Sequence, residues 1–144
     1  MDRLQDARRV QFVSYIAGIG AGVIATADRG RAPESAFINL AATPDMAIVF
    51  ETLVTSRKYR NLQREPQASL VIAKGDTSLQ IEGEVDEPEG QVRDELMAVY
   101  YAACPHNSAH RNWPGLTYLR LRPRWVRYSD YGMPWKVEEF LLQN

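Results

Sequence analysis

The sequence predicts one α+β domain in which short antiparallel strands close as a small barrel and helices flank it. Three observations support this prediction: apolar and polar residues alternate over short runs, Gly, Pro and Asp separate the runs, and other stretches repeat apolar residues every three or four positions. The runs with strand character are residues 22–28, 35–43, 46–53, 67–75, 77–88 and 116–130. An even set of such strands commonly closes as a barrel, because closure removes exposed sheet edges.

The first elements follow from local patterns. Residues 2–17 repeat apolar side chains at helical spacing with charged residues opposite, and the glycine-rich residues 18–22 end that helix. Polar turns at residues 28–33 and 43–45 then join the first three strands, which predicts an antiparallel meander.

Three more helices are predicted later in the chain. One begins at Thr55 or Ser56, both favoured N-cap types, and ends before Pro66, since Pro stops a helix. A second covers residues 87–104, and a short terminal helix covers residues 135–142. Between them, Gly75 supplies the tight turn that a hairpin of the fourth and fifth strands needs.

The composition limits the function classes. The 144 residues form a single predicted domain, residues 1–144, with 45% hydrophobic and 24% charged residues. A net charge of -1 argues against a nucleic-acid binder driven by bulk electrostatics. Cys104 is the only cysteine, so intrachain disulfides and CxxC metal motifs are excluded. With no signal pattern, and with residues 15–27 too short and glycine-rich to span a bilayer, we expect a cytoplasmic protein.

The start of the second helix has an unfavourable charge pattern. Arg57, Lys58 and Arg60 occupy its first turn, where the helix dipole favours acidic residues. A bound phosphate would reverse the sign of that interaction, since backbone N–H groups, hydroxyls and cations would converge on one dianion. The alternative is a solvated basic face whose small free-energy cost is tolerated.

Residues 49–72, VFETLVTSRKYRNLQREPQASLVI, resemble the signature of the pyridoxamine 5'-phosphate oxidase-like, FMN-binding split-barrel family. The resemblance extends from about Gly22 to Asp130, and its most specific part is the Ser-Arg-Lys block with its flanks. It implies an α+β fold with a six-stranded antiparallel split β-barrel and flanking helices. It also implies a flavoprotein that forms a homodimer with FMN at the subunit interface.

The resemblance also implies roles for individual residues. Ser56, Arg57 and Lys58 would hold the FMN phosphate, while Glu51 and Thr52 would lie beside the flavin. The strand that contains Phe37, Ile38 and Asn39 would run under the isoalloxazine ring, partly through backbone groups. Gln80 would present a polar side chain to the cofactor, and Trp113 would cover the flavin of the partner subunit.

The sequence departs from the family pattern at the substrate site. Ala36 and Ala41 stand where pyridoxamine phosphate oxidases carry Arg and Lys, and Cys104 replaces an Arg that grips the substrate phosphate. An Arg-x-His element is also missing. Pyridoxamine phosphate oxidation is therefore not expected, whereas the flavin site is retained. Glu51, where Tyr is common, is expected to pair with Arg60 or Lys58.

Other candidate groups have ordinary interpretations. His106 and His110 near Cys104 superficially suggest a metal site, but Pro105 and Asn107 break helical order and no carboxylate follows at ligand spacing. We predict no metal, surface histidines and a half-buried Cys104. The late aromatic residues are expected to form core and dimer interface, or to wall a planar ligand.

Two main function classes remain. The first is an FMN-dependent oxidoreductase with an unknown small-molecule substrate, in which no side chain is an evident catalytic acid or base. The second is a non-enzymatic module that binds a flavin or another phosphorylated ligand as a sensor or stress protein. Relatives of such proteins bind a deazaflavin or haem instead, so these cofactors stay alternatives. A single-strand nucleic-acid binder using the arginine-rich last strand is disfavoured by the net charge.

Overall fold

The computed structural model describes residues 1–142, so residues 143 and 144 of the predicted domain lie outside it. Three α-helices and nine strands are present in that range, which confirms the α+β class. The helices are α1 Asp6–Ile19, α2 Arg57–Arg64 and α3 Gly90–Ala103, followed by a 3-10 helix, Pro105–His110. The strands are β1 Asp2–Arg3, β2 Ala21–Ala27, β3 Pro33–Asn39, β4 Ala41–Ala42, β5 Ile48–Leu53, β6 Gln67–Lys74, β7 Thr77–Asp86, β8 Leu116–Asp130 and β9 Lys136–Leu141.

Six strands form the barrel in the order β3, β2, β6, β7, β8 and β5, all joined by antiparallel ladders. β3 and β5 come close to each other, but their described residues form no ladder. The barrel is therefore split between these two strands. α2 follows directly from the end of β5, and it packs against β2 beside the split.

The predicted terminal helix over residues 135–142 is wrong, because Lys136–Leu141 forms β9. β8 is long enough to pair with β5 through Leu116–Leu121 and still offer a free edge at Trp125–Asp130, which β9 occupies. Phe140 then packs against Phe12 of α1, with 6.0 Å between ring centroids. These tertiary contacts override a local composition that suits a helix.

α1 covers one end of the barrel. Phe12 and Ile16 are buried in the core, and Gly20, with φ 70°, ends the helix in the left-handed conformation. The helix starts at Asp6 and not at residue 2, because β1 pairs in parallel with β9. The barrel interior is filled by the inward side chains of the sheet, among them Ile24, Phe50, Leu70, Ile72, Leu79, Ile81, Leu119 and Val126.

A β-bulge in the antiparallel pairing of β7 with β8 requires a glycine. The register shifts between Glu82 and Gly83, so that two residues of β7 face three of β8. A Cβ atom on Gly83 would lie 2.1 Å from the carbonyl oxygen of Arg122. No rotamer change relieves such a contact, because the backbone fixes the position of the Cβ atom and the carbonyl oxygen is itself a backbone atom.

We expect Gly83→Ala to lower the free energy of unfolding by about 2–3 kcal/mol, as overpacked sites do. Gly18→Ala is the matched control, since a Cβ atom added at that position of α1 would meet no other atom within 4 Å; it should stabilise the chain by roughly 0.5–1 kcal/mol. Urea denaturation followed by circular dichroism measures both. Equal stability of the two variants would contradict the assigned close approach.

Candidate functional site

Ser56 fixes the junction between β5 and α2. As the N-cap of α2, its Oγ accepts a hydrogen bond from the backbone N–H of Tyr59 at 3.2 Å. The same Oγ lies 2.8 Å from Oγ1 of Thr52 in β5. The first N–H groups of α2, those of Arg57 and Lys58, are left open by helix geometry. The predicted phosphate-binding residues are thus brought together.

A buried network holds α2 against the edge of the sheet. Asn61 donates from Nδ2 to Oγ1 of Thr26 at 3.0 Å and to Oε1 of Glu34 at 2.8 Å. The other oxygen of Glu34 forms an ion pair with Nη1 of Arg57 at 3.0 Å. Arg57 therefore already has a carboxylate partner, and its guanidinium is positioned over β3.

Lys58 differs from Arg57 in having no partner among residues 1–142. Its ammonium is half-buried, and this loss of water lowers its pKa from the ordinary value of 10.5. A cavity of about 160 Å³ opens beside it. The cavity is lined by Thr26, Glu34, Ser35, Ala36, Arg57 and Lys58. A desolvated, unpaired cation beside a cavity favours an anionic ligand.

The edge strand β3 turns backbone groups toward the split. Hydrogen bonds from Leu40 N–H to Gly20 C=O and from Asp28 N–H to Ala32 C=O, both 3.0 Å, set the alternation of the β2–β3 ladder. In an antiparallel ladder, the residues of the intervening pairs point their N–H and C=O groups away from the partner strand. Phe37 and Asn39 belong to these intervening pairs, so their backbone groups face the split.

Ile38 is placed differently from its neighbours. Its backbone belongs to a hydrogen-bonded pair with Gly22, and its side chain is 4% exposed in the core. The structure therefore does not bring the polar groups of Ile38 to the split. The side chain of Phe37, by contrast, is 71% exposed on the outer face of the sheet.

Gln80 lies on the same outer face of the sheet as Phe37 but three strands away from it. The strand registers place Phe37, Val23, Val71 and Gln80 in one row across β3, β2, β6 and β7. Three interstrand spacings separate the ends of this row by about 14 Å. Gln80 is therefore distant from the backbone groups of Phe37 that face the split in the same chain.

Glu51 does not pair with Arg60 or Lys58, and that prediction is wrong. Alternation along β5 turns Thr52 toward the barrel interior and Glu51 to the opposite face, where α3 packs. There Glu51 accepts a hydrogen bond from the hydroxyl of Tyr101 at 3.1 Å. Its Oε1 lies 3.5 Å from Nδ1 of His110, in the 3-10 helix.

Trp113 contacts His110, which in turn lies beside Glu51. The sequence predicts His110 to be a surface histidine. The indole of Trp113, 57% exposed, packs against the His110 ring at a tilt of 36°, with 4.5 Å between centroids. His106 is exposed as predicted, whereas His110 is only 26% exposed in its side chain. The spacing between Glu51 and His110 in the chain gives no signal for this contact. Asn61 and Glu34 are likewise not identified as site residues from the sequence, because they meet only in the folded chain.

The residues at the family's substrate-phosphate positions are closed off. Cys104 is not half-buried as predicted but 2% exposed, because it caps α3 against the barrel wall. Tyr100 is buried and its hydroxyl accepts a hydrogen bond from Nδ2 of Asn107 at 2.8 Å. Burial, and secondarily the Glu51 carboxylate, raises the pKa of both groups, so they stay neutral at physiological pH.

Across residues 1–142, no three His, Cys, Asp or Glu side chains are grouped as a metal site would require. Within the same range, no helix has the length and apolar character that a membrane crossing requires.

A sequence profile of the pyridoxamine 5'-phosphate oxidase family matches residues 10–130. The chain belongs to this family. The resemblance seen in residues 49–72 is thereby confirmed, and the pyridoxamine 5'-phosphate oxidase fold accounts for the split barrel. Among curated proteins, none shows significant similarity to the chain.

Solved structures show the same fold at low sequence identity. A haem-binding protein from Mycobacterium smegmatis matches with a TM-score of 0.80 and 21% identity over 98% of this chain, which spans 60% of the length of that chain. A protein from Clostridium acetobutylicum related to general stress protein 26 matches with 0.74 and 12% over 96% of both chains. An FMN-binding protein from Nostoc punctiforme related to pyridoxamine 5'-phosphate oxidase matches with 0.63 and 12%, over 96% of this chain and 95% of that one.

We expect Asn61→Ala to lower the free energy of unfolding by about 2–3 kcal/mol, because it leaves the buried Thr26 hydroxyl and the Glu34 carboxylate with one partner fewer each. Gln63→Ala on the exposed side of the same helix is the control and should change stability by less than about 0.5 kcal/mol. Chemical denaturation measures the free energy of unfolding of both variants. A cost as small as that of the control would show that the network does not fasten α2.

Proposed function

We propose that this chain binds FMN with its phosphate at the start of α2 and acts as an FMN-dependent oxidoreductase on a small-molecule substrate. The observation that carries the proposal is Lys58, a half-buried cation with no partner among the described residues, beside a cavity that Arg57 also lines. The ion pair with Glu34 neutralises Arg57, so Lys58 leaves one positive charge uncompensated. A phosphate fits this donor set, since open N–H groups and the two cations all favour an anion.

The flavin ring is proposed to lie along the split. Backbone N–H and C=O groups of Phe37 and Asn39 are available there for the polar edge of a flavin, and Ile38 supports them from the core. Thr52 and Ser56 would hold the ribityl phosphate end of the cofactor, and Glu51 would lie beside the ring. Bound FMN supplies two-electron redox chemistry, while the protein supplies orientation and electrostatics.

We further propose that the chain works as a homodimer in a reducing cytoplasm. Phe37, Val23 and Val71 form an exposed apolar row on the outer sheet face, which a second copy would bury. Gln80, which lies three strands away from Phe37 in its own chain, and Trp113 would then contact the cofactor of the partner. The single cysteine, Cys104, fits a reducing compartment because it forms no intrachain disulfide.

Haem is the second candidate ligand, because the Mycobacterium smegmatis structure of the same fold is a haem-binding protein. A deazaflavin would use the same phosphate site, and a non-enzymatic module would bind FMN without turnover. The visible spectrum of the purified or reconstituted protein separates haem, FMN and deazaflavin. Bleaching of bound FMN by NADH or NADPH separates the enzyme from the module.

Replacing both Arg57 and Lys58 by Ala should weaken FMN binding by about 2–4 kcal/mol, because two charge-assisted contacts to the phosphate are lost. Arg60→Ala removes an exposed cation from the same helix and serves as the control, with affinity nearly unchanged. Flavin fluorescence titration gives the dissociation constants. The phosphate assignment fails if the double variant binds FMN as tightly as the control does.

The pH dependence of FMN binding should also depend on Lys58. Because burial lowers its pKa from the ordinary value of 10.5, free Lys58 loses its proton at a lower pH than an ordinary lysine, and FMN affinity should already fall as the pH rises toward 10.5. Lys58→Arg stays charged over this range, so its affinity should fall less. Ionisation of FMN itself cancels in the ratio of the two dissociation constants. A ratio independent of pH would argue against contact between Lys58 and the phosphate.

A further inference from the structure

His110 has a buried nitrogen without a hydrogen-bond partner among the described residues. Nδ1 of the imidazole is shielded from solvent and makes no hydrogen bond there. The nearest acceptor is Oε1 of Glu51 at 3.5 Å, an ion-pair distance. Buried polar atoms in native proteins are nearly always satisfied, so this pair calls for an explanation. Hydrogen bonds between catalytic groups are often long before the ligand binds.

The other ring nitrogen of His110 has different surroundings. Nε2 is not among the buried unpartnered atoms of residues 1–142, and it makes no hydrogen bond within them, so it keeps contact with solvent. The ring packs against the exposed indole of Trp113, with the two ring planes tilted by 36°. The imidazole thus connects a buried carboxylate to an open aromatic surface.

Glu51 is held in place from the buried side. Its Oε2 accepts from the hydroxyl of Tyr101, which lies 2.5 Å from the hydroxyl of Tyr118 in β8. Other ionisable groups lie near Glu51 and His110 on the elements that pack against them. Arg111 lies over the ring of Tyr101 at 4.4 Å, Arg93 lies over the ring of Tyr118 at 5.3 Å, and Tyr100 and Cys104 face Glu51 from α3. Among residues 1–142, His110 is the one group able to carry a positive charge that lies within ion-pair distance of Glu51.

We propose that His110 transfers a proton through Nε2 in the reaction of the bound FMN, that Glu51 positions it by accepting from Nδ1–H, and that the acceptor is an uncharged quinone. This inference rests on the proposed function, which places position 51 beside the flavin. An imidazole that donates from Nδ1 to a carboxylate keeps Nε2 free to take up and give a proton.

The acceptor class follows from the walls of the site. Trp113 offers an exposed aromatic surface for a planar molecule. The Glu51 carboxylate is balanced by the cationic groups around it, so the site favours neither a cationic nor an anionic acceptor, and the buried Tyr100 and Cys104 provide no grip for a phosphate. A planar, uncharged carbonyl compound meets these conditions.

The proton balance is simple. The acceptor quinone receives two electrons and one proton that originate from NADH, which becomes NAD⁺, and a hydroquinone monoanion results. The second proton moves from Nε2 of the His110 imidazolium to the anionic oxygen, which forms the O–H bond of the hydroquinone. His110 is left as the neutral ring with its proton on Nδ1, facing Glu51. Solvent then reprotonates Nε2.

A first test needs neither cofactor nor turnover. Long-range ¹H–¹⁵N NMR of the two histidines reports which nitrogen carries the proton in the neutral ring. Wild type and Glu51→Gln, which keeps an acceptor oxygen, should show His110 with its proton on Nδ1. Glu51→Leu should shift it to Nε2, while His106 should stay unchanged in all three. A wild-type His110 with its proton on Nε2 overturns the positioning role of Glu51.

A second test measures NADH-driven reduction of menadione by the FMN-loaded protein. His110→Ala should lower kcat about 100-fold or more, with FMN affinity unchanged, and added imidazole should restore part of the rate. His106→Ala removes the exposed histidine and should leave kcat unchanged. If FMN binds but menadione is not reduced, or if His110→Ala retains full activity, the inference fails while the FMN site stands. If wild type does not bind FMN, the proposed function itself fails.

Discussion

The geometry of the candidate site depends on the contacts that the Glu34 carboxylate makes. It binds the amide of Asn61 with one oxygen and the guanidinium of Arg57 with the other, and Asn61 also reaches the buried hydroxyl of Thr26. α2 is thereby fastened to β2 and β3 at the same place where it follows β5. The Arg57 guanidinium is largely exposed, so its ion pair adds little, and the buried hydrogen bonds of Asn61 do most to hold α2 against the sheet.

The same arrangement explains why two neighbouring cations have different states. Arg57 is neutralised by Glu34, whereas Lys58 is half-buried and has no partner in the described part of the chain. The charge pattern that looked unfavourable in the sequence is therefore only half compensated by the protein itself. A ligand anion would complete the compensation, and the proposed phosphate site rests on this uncompensated charge.

Much of the fold could be predicted from the sequence, because it is encoded locally. Alternation alone predicts β8 with its observed bounds, 116–130, and residue type predicts an N-cap at Thr55 or Ser56, of which Ser56 is the N-cap in the structure. The strand at Lys136–Leu141 was missed because its conformation depends on a free edge of β8 and on Phe12, neither of which is near it in the chain. Long-range pairing of this kind leaves no periodic signal.

The candidate site likewise combines features that are encoded locally in the sequence with features that depend on long-range packing. Ser56, Arg57 and Lys58 are consecutive, so their clustering at the helix start could be predicted. The pairing of Glu51 with His110 could not, because it depends on how α3 and the 3-10 helix pack on the outer face of β5. The side on which Glu51 emerges is fixed by its neighbour Thr52, whose side chain must face Ser56.

The open edge of β3 has a consequence for the handling of the protein. A strand with free amide and carbonyl groups and a large exposed aromatic side chain is a template for further strand addition, the first step of edge-to-edge polymerisation. Whatever occupies the gap in the barrel therefore also shields the chain from self-assembly into aggregates. Solubility and occupancy of the gap are coupled through one stretch of backbone.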